Sequence, residues 1–164
     1  MGITAMNHAV LYVRDAARTA AFYEDVLDFS TIASFSGGAF LRAPGSTNDH
    51  DIAFFSIGDR AAPSSAGRGA VGLYHLAWEV ATLADLVDLD ERLRRAGSLV
   101  GASDHTVSKS LYAKDPDGLE FEVCWVVPER LLASGQTPSA RPQPLDLAGE
   151  IAHFGAKTPG GRAA

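Results

Sequence analysis

The chain has 164 residues, 46% of them hydrophobic, enough to fill one domain core or two small modules that share one. Its 14 Lys+Arg against 20 Asp+Glu leave a formal net charge of -6. No basic cluster exceeds Arg92, Arg94 and Arg95, which argues against a nucleic-acid partner. The sole cysteine, Cys124, excludes an intrachain disulfide framework and a cysteine-rich zinc site, and reads as a small buried strand residue. With no apolar run near the roughly 18 residues of a membrane span and no basic-then-apolar N-terminus, a soluble, cytoplasmic protein without a membrane partner is expected.

In chain order, residues 5–13 read as a strand of alternating character in which NHAVLYVRD places His8. Asp15 then suits a helix N-cap, and Ala17, Ala20, Ala21, Val26 and Leu27, with Phe22 and Tyr23, supply apolar positions at helical spacing. Short strands follow near 29–35, 38–43 and 50–57, with Gly37 and Gly38 turning the chain between the first two. A Gly, Ser, Ala and Pro-rich stretch near 58–70 reads as an exposed linker.

The same plan then recurs. A strand at 71–80 carries His75 in YHLAWEVAT, and Thr82 caps a helix with Leu83, Leu86, Leu89 and Leu93 at threes and fours. Gly97 stands where a left-handed C-terminal cap belongs. Strands are expected near 98–102, 107–113 and 119–127, the last two joined as a hairpin by Asp115-Pro116-Asp117-Gly118. The reading is an α+β chain of two paired βαβββ modules, about 5–57 and 70–127, forming a half-open barrel within one domain, 1–127. Residues 128–164 lose periodicity apart from an apolar stretch from Leu145 to Phe154. They read as a surface-wrapping or partly disordered extension, with His153 given no functional role.

Strand alternation places His8 with Val10 and Tyr12, His75 with Ala77 and Glu79, and Glu122 with Glu120 and Cys124. One histidine opening each repeat and a carboxylate on the final strand suit a divalent metal with open positions around it. His8, His75 and Glu122 are therefore the candidate metal ligands. Glu120 competes with Glu122, and strand register decides between them.

The segments HAVLYVRD, AFYEDVLDF, YHLAWEV and DPDGLEFEV, in this order, resemble the vicinal oxygen chelate superfamily of glyoxalase I, type I extradiol dioxygenases and fosfomycin- or bleomycin-resistance proteins. The resemblance covers residues 5–127. It implies the paired βαβββ fold, metal ligands at His8, His75 and Glu122, and a homodimer. The fourth, glutamate ligand of glyoxalase I falls on Ala53, which cannot bind a metal. Extradiol dioxygenases instead have a histidine opening that strand, another before the penultimate strand, and a tyrosine at a set distance ahead of the glutamate ligand. His50, His105 and Tyr112 stand there, although the interval from His105 to Tyr112 is shorter than in the family.

The resemblance thus implies an Fe(II)-dependent ring-cleaving dioxygenase that takes a small catechol-like aromatic substrate and dioxygen. His50 is the proton acceptor and donor, His105 binds the second substrate hydroxyl, and Tyr112 donates to a substrate oxygen. Mn(II) could substitute. A glyoxalase-like isomerase, lyase or epimerase using Zn(II), Ni(II) or Co(II) is the runner-up. A metal-free antibiotic-binding protein lined by Phe35, Phe40, Phe54, Phe55, Trp78 and Trp125 is the reading from another class.

Overall fold

A computed structural model describes residues 2–67, 69–139 and 141–161; Met1, Arg68, Ala140 and the last three residues of the C-terminal extension lie outside the described residues. The chain is α+β, built on two open sheets. Its contacts divide it into two compact units, Met1–Ser64 with Asp115–Gly118, and Ser65–Lys114 with Leu119–Ala164.

In the first unit β1 (Ala9–Val13) leads into α1 (Ala16–Leu27), whose N-terminus is closed by the Asp15 carboxylate accepting from the Ala17 and Arg18 N–H groups. The helix buries Ala16, Thr19, Ala20, Tyr23, Val26 and Leu27 on one face and stops at Asp28, which turns left-handed with φ 58°. Next come β2 (Ser30–Phe35), β3 (Gly38–Arg42) and β4 (Ile52–Ser56), giving the order β1-β4-β3-β2 with β1 parallel to β4. At the β2–β3 turn Gly37 is left-handed at φ 85°, and the exposed Phe35 ring lies over Gly38. The core is Tyr23, set edge-on to Phe29 at 5.4 Å and tilted against Phe54 at 5.0 Å, over fully buried Leu41 and Ile52. Burial of a side chain like Phe54 contributes about 2 to 3 kcal/mol.

The Asp115–Gly118 turn belongs to this unit. Gly118, at φ 83°, donates its N–H to the Asp115 carbonyl at 2.9 Å. Asp117, its side chain 6% exposed, accepts from the Arg14 backbone at 2.7 Å and from the Arg14 and Arg18 guanidinium groups. Such charge-assisted contacts exceed neutral hydrogen bonds in strength.

The second unit repeats the plan with β5 (Leu76–Glu79), α2 (Leu83–Arg95), β6 (Leu99–Asp104), β7 (Ser108–Lys114) and β8 (Glu120–Val126). Thr82 caps the helix and Gly97 is left-handed at φ 66°, as the sequence predicts, and Asp85 completes a reciprocal capping box with Thr82. Leu83, Leu86, Leu93, Leu111 and Trp125 are fully buried. The sheet order is β5-β8-β7-β6-β9, with β7 and β8 antiparallel as expected of a hairpin. The fifth strand, β9 (Gln143–Pro144), pairs with β6, and the apolar stretch of the extension folds as α3 (Leu147–Phe154), capped by Asp146.

The leading strands of both repeats are shorter than their alternation predicts. β1 begins at Ala9 and β5 spans Leu76–Glu79, so His8 and His75 stand one residue ahead of strands rather than inside them. Each is an edge strand; β1 pairs with β4 from Ala9 opposite Ile52, and β5 pairs with β8 from Leu76 opposite Phe121. No helix among the described residues is long and apolar enough to cross a membrane.

Candidate functional site

In the first unit, two imidazoles meet at the β1 and β4 ends. The rings of His8 and His50 are 4.4 Å apart, and the edge of the Phe40 ring closes on His50 at 5.1 Å. The side-chain oxygen of Asn7 takes the His8 Nδ1 proton at 2.7 Å, which leaves the His8 Nε2 lone pair free. On His50, Nδ1 faces the Asp49 carboxylate at 3.1 Å, so Nε2 of that ring is likewise an acceptor. Hydrogen bonds from the His50 backbone and ring hold the Asp49 carboxyl below the usual carboxylate range.

The loop that carries His50 is ordered from inside by Asp51. Its carboxylate accepts from the Ala43 N–H at 2.8 Å, the Ser46 hydroxyl at 2.7 Å and the Asn48 side-chain amide at 2.8 Å. The same Asn48 amide donates to the Asn7 backbone carbonyl at 3.0 Å, tying the loop to the approach to His8. Hydrophobic patterning misses Asp51 and Asn48 as supports of the His50 loop, although the polar run Ser46 to Asp51 is the kind of stretch in which a side chain replaces backbone partners.

In the second unit, β8 turns Phe121, Val123 and Trp125 into the core and Glu122 and Cys124 to the opposite face. Register places Glu122 opposite Ala77 on β5 and opposite Tyr112 on β7, while Glu120 lies nearer the turn, opposite Lys114. Glu122 Oε2 is 3.0 Å from His75 Nε2. The rings of His75 and Tyr112 lie 5.7 Å apart, and the Tyr112 hydroxyl is 2.7 Å from His105 Nε2. Burial first, and then the Glu122 charge, push the Tyr112 phenol up to about 12, so it stays a donor at neutral pH. Burial and the charges of Glu122 and Glu79 push the Cys124 thiol up to about 12 as well, which suits a structural thiol.

The paired donors suit a divalent ion. A ring nitrogen and a carboxylate oxygen 3.0 Å apart offer two donor atoms to one ion, and buried His75 Nδ1 has no hydrogen-bond partner among the described residues. His8 brings a further free ring nitrogen in the first unit. Among the described residues, no three His, Cys, Asp or Glu side chains gather into a ready-made cage. Ala53, on β4 beside Val10, is fully buried and offers no ligand atom. His153 packs its ring on Phe154 at 4.3 Å on α3.

Residues 5–123 match the family model described as the Glyoxalase/Bleomycin resistance protein/Dioxygenase superfamily. The chain is 30% identical over 120 residues to a protein named catechol-2,3-dioxygenase from Bacillus subtilis (strain 168). That match covers 73% of this chain and 41% of the relative, so the chain spans about two fifths of the relative's length. Among solved structures, a glyoxylase/bleomycin resistance protein/dioxygenase domain from Frankia sp. EAN1pec is 22% identical with TM-score 0.62, over 82% of this chain and 96% of that one. A mutant of the fosfomycin resistance protein FosX from Listeria monocytogenes, complexed with Mn(II) and a dihydroxypropylphosphonic acid, is 21% identical with TM-score 0.57, over 74% and 90%. With the repeated βαβββ units and these matches together, the chain belongs to the glyoxalase/bleomycin resistance protein/dioxygenase superfamily.

Proposed function

We propose that the chain is an Fe(II)-dependent extradiol dioxygenase that cleaves a catechol-like aromatic ring, with His8, His75 and Glu122 as the metal ligands. The observation that carries this reading is the His105 to Tyr112 hydrogen bond, 2.7 Å long, on the sheet that also holds the His75 and Glu122 pair. By the resemblance, the fourth, glutamate ligand of glyoxalase I falls on Ala53, which is buried and has no side-chain ligand atom. The relative named catechol-2,3-dioxygenase points the same way.

Bound Fe(II) supplies Lewis acidity and a path for electrons between a vicinal diol and dioxygen, which a 2-His-1-carboxylate site with open positions permits. The chain's own residues do the rest. His50, its Nδ1 proton held by Asp49, presents Nε2 as the base that takes a proton from a substrate hydroxyl and later returns it. Tyr112 remains a phenol and donates to a substrate oxygen as charge develops on it. His105, now sharing the Tyr112 hydroxyl, binds the second substrate oxygen.

The test is anaerobic purification, Fe(II) titration and oxygen-electrode measurement with a catechol panel. About one Fe(II) per chain with oxygen uptake and a coloured ring-fission product is the expected outcome. Turnover that ignores dioxygen would point to a metal-dependent isomerase or lyase, and ligand binding that survives His8→Ala without metal would point to a binding protein. Equal Mn(II)-supported and Fe(II)-supported uptake would leave the reaction and reassign the ion.

A further inference from the structure

Lys109 is 4% exposed, on β7, and the proposed chemistry makes no use of it. A lysine is almost never buried this deeply without paired charge. Its ammonium donates to Asp104 Oδ1 at 2.6 Å, meets Glu150 Oε2 at 3.2 Å and stands 5.7 Å over the Phe154 ring. One ammonium thus joins the end of β6 to helix α3 of the C-terminal extension.

Asp104 directly precedes His105 and organises the turn around it. Its Oδ1 also accepts the Thr106 N–H at 2.7 Å, which stabilises Thr106 at φ 74°, a left-handed backbone rare for a β-branched residue. Burial acts to raise the Asp104 carboxyl, but the Lys109 and Thr106 hydrogen bonds outweigh it and leave the group below its ordinary range. The extension reaches the same turn by a second route, with Ser139 N–H donating to the His105 carbonyl at 3.0 Å and Gln143 pairing with Asp104.

The extension itself is tied down elsewhere. Phe154 packs on Trp125 at 5.4 Å, the Trp125 indole donates to the Thr158 carbonyl at 3.2 Å, and Ala84 N–H donates to the Ala156 carbonyl at 2.9 Å. Gly160 passes so close that a Cβ there would lie 2.5 Å from the Trp125 ring.

We infer that Lys109 is a positioning residue which, held between Asp104 and Glu150, couples docking of helix α3 to the aim of His105 at the Tyr112 hydroxyl. The inference rests on the reading of His105 as a substrate-binding group, but the coupling itself is a property of the free protein. Lys109→Met keeps the side-chain volume and removes the charge, leaving two carboxylates that repel across the α3 contact. Glu150→Gln weakens only the tether to the helix, by removing its charge, and leaves Lys109 bonded to Asp104.

Both variants, as full chains, are compared with wild type by histidine ring nitrogen NMR, with His105→Gln assigning the ring, and by amide exchange across α3. In Lys109→Met the His105 Nε2 resonance should lose its hydrogen-bonded position while the His75 ring stays unmoved, and exchange in 147–154 should rise at least about tenfold. Glu150→Gln should shift His105 in the same direction by less. With an active catechol substrate, KM should rise about tenfold while kcat changes by less than about threefold. An unmoved His105 resonance in Glu150→Gln, with α3 exchange increased, overturns the coupling even if Lys109→Met fails to fold. Wild type that cleaves no catechol overturns the dioxygenase reading instead and leaves the NMR result to judge Lys109 alone.

Discussion

In the first unit the outermost strand, β2, is exposed at all six positions, whereas the equivalent β6 of the second unit is largely half-buried and carries β9 on its edge. The loops that follow differ in the same way. Asp51 orders the His50 loop from within, through residues 43 to 48, so that loop is closed mainly by its own sequence neighbours, with one tie from Asn48 to Asn7. The His105 turn is held by Asp104, Lys109 and a C-terminal segment from Ser139 to Glu150. One repeated plan therefore supports its two outer histidines by different means, one local and one dependent on distant chain.

The dipeptide Asp-His occurs in both loops and shows how context sets a role. Asp49 is exposed and turns its carboxylate to the His50 ring at 3.1 Å, fixing a tautomer. Asp104 turns instead to Lys109 and to the Thr106 N–H, fixing the backbone that carries His105. The first arrangement orients a ring, and the second sets a position.

The sharpest way to break the comparison is at the inner pair. Glu122→Gln should abolish metal-dependent turnover and weaken metal binding by at least about 100-fold, read by isothermal titration with Mn(II). His75→Gln should weaken Mn(II) binding in the same titration; unchanged affinity in either variant would remove that residue from the ligand set. Next in size, His50→Gln should lower kcat by about 1000-fold with metal affinity unchanged, while Asp49→Asn costs roughly tenfold by freeing the wrong tautomer. If the two variants lose equally, Asp49 does more than orient the ring.

Gly160→Ala tests the support peculiar to the second unit. Its added methyl group meets Trp125 and should cost about 2 kcal/mol in denaturant unfolding, with no counterpart in the first unit. A pH series sharpens the same point with less effect. Because the Asp104 carboxyl lies below its usual range, its contribution is complete above about pH 4 and is lost as pH falls through the depressed value. Amide protection of α3 should therefore hold to about pH 4 and decline below it. The smallest change expected is at the open edge, where Ile32→Lys on exposed β2 should shift stability by no more than about 0.5 kcal/mol.

Much of this architecture is legible one segment at a time. The Thr82 capping box, left-handed Gly97, the Asp115–Gly118 turn and the paired α1 and α2 faces depend on residues within a few positions of each other. Alternation along β8 likewise put Glu122 opposite to the core side of the strand, since period two is a local property. It overestimated β1 and β5 because strand limits follow the ladder actually formed with β4 and β8, tens of residues away, rather than the alternation of the strand itself.

By itself, then, the sequence determined the repeated strand and helix plan, the residue types that can ligate a metal, and the histidines and tyrosine available around it. Tertiary structure decided which of them touch: Glu122 rather than Glu120 on His75, His8 against His50, Tyr112 against His105, and Lys109 buried between Asp104 and Glu150. The physical reason is that helix and turn signals are satisfied by neighbours in the chain, while register and buried ion pairs are set by partners that only folding brings within about 3 to 4 Å.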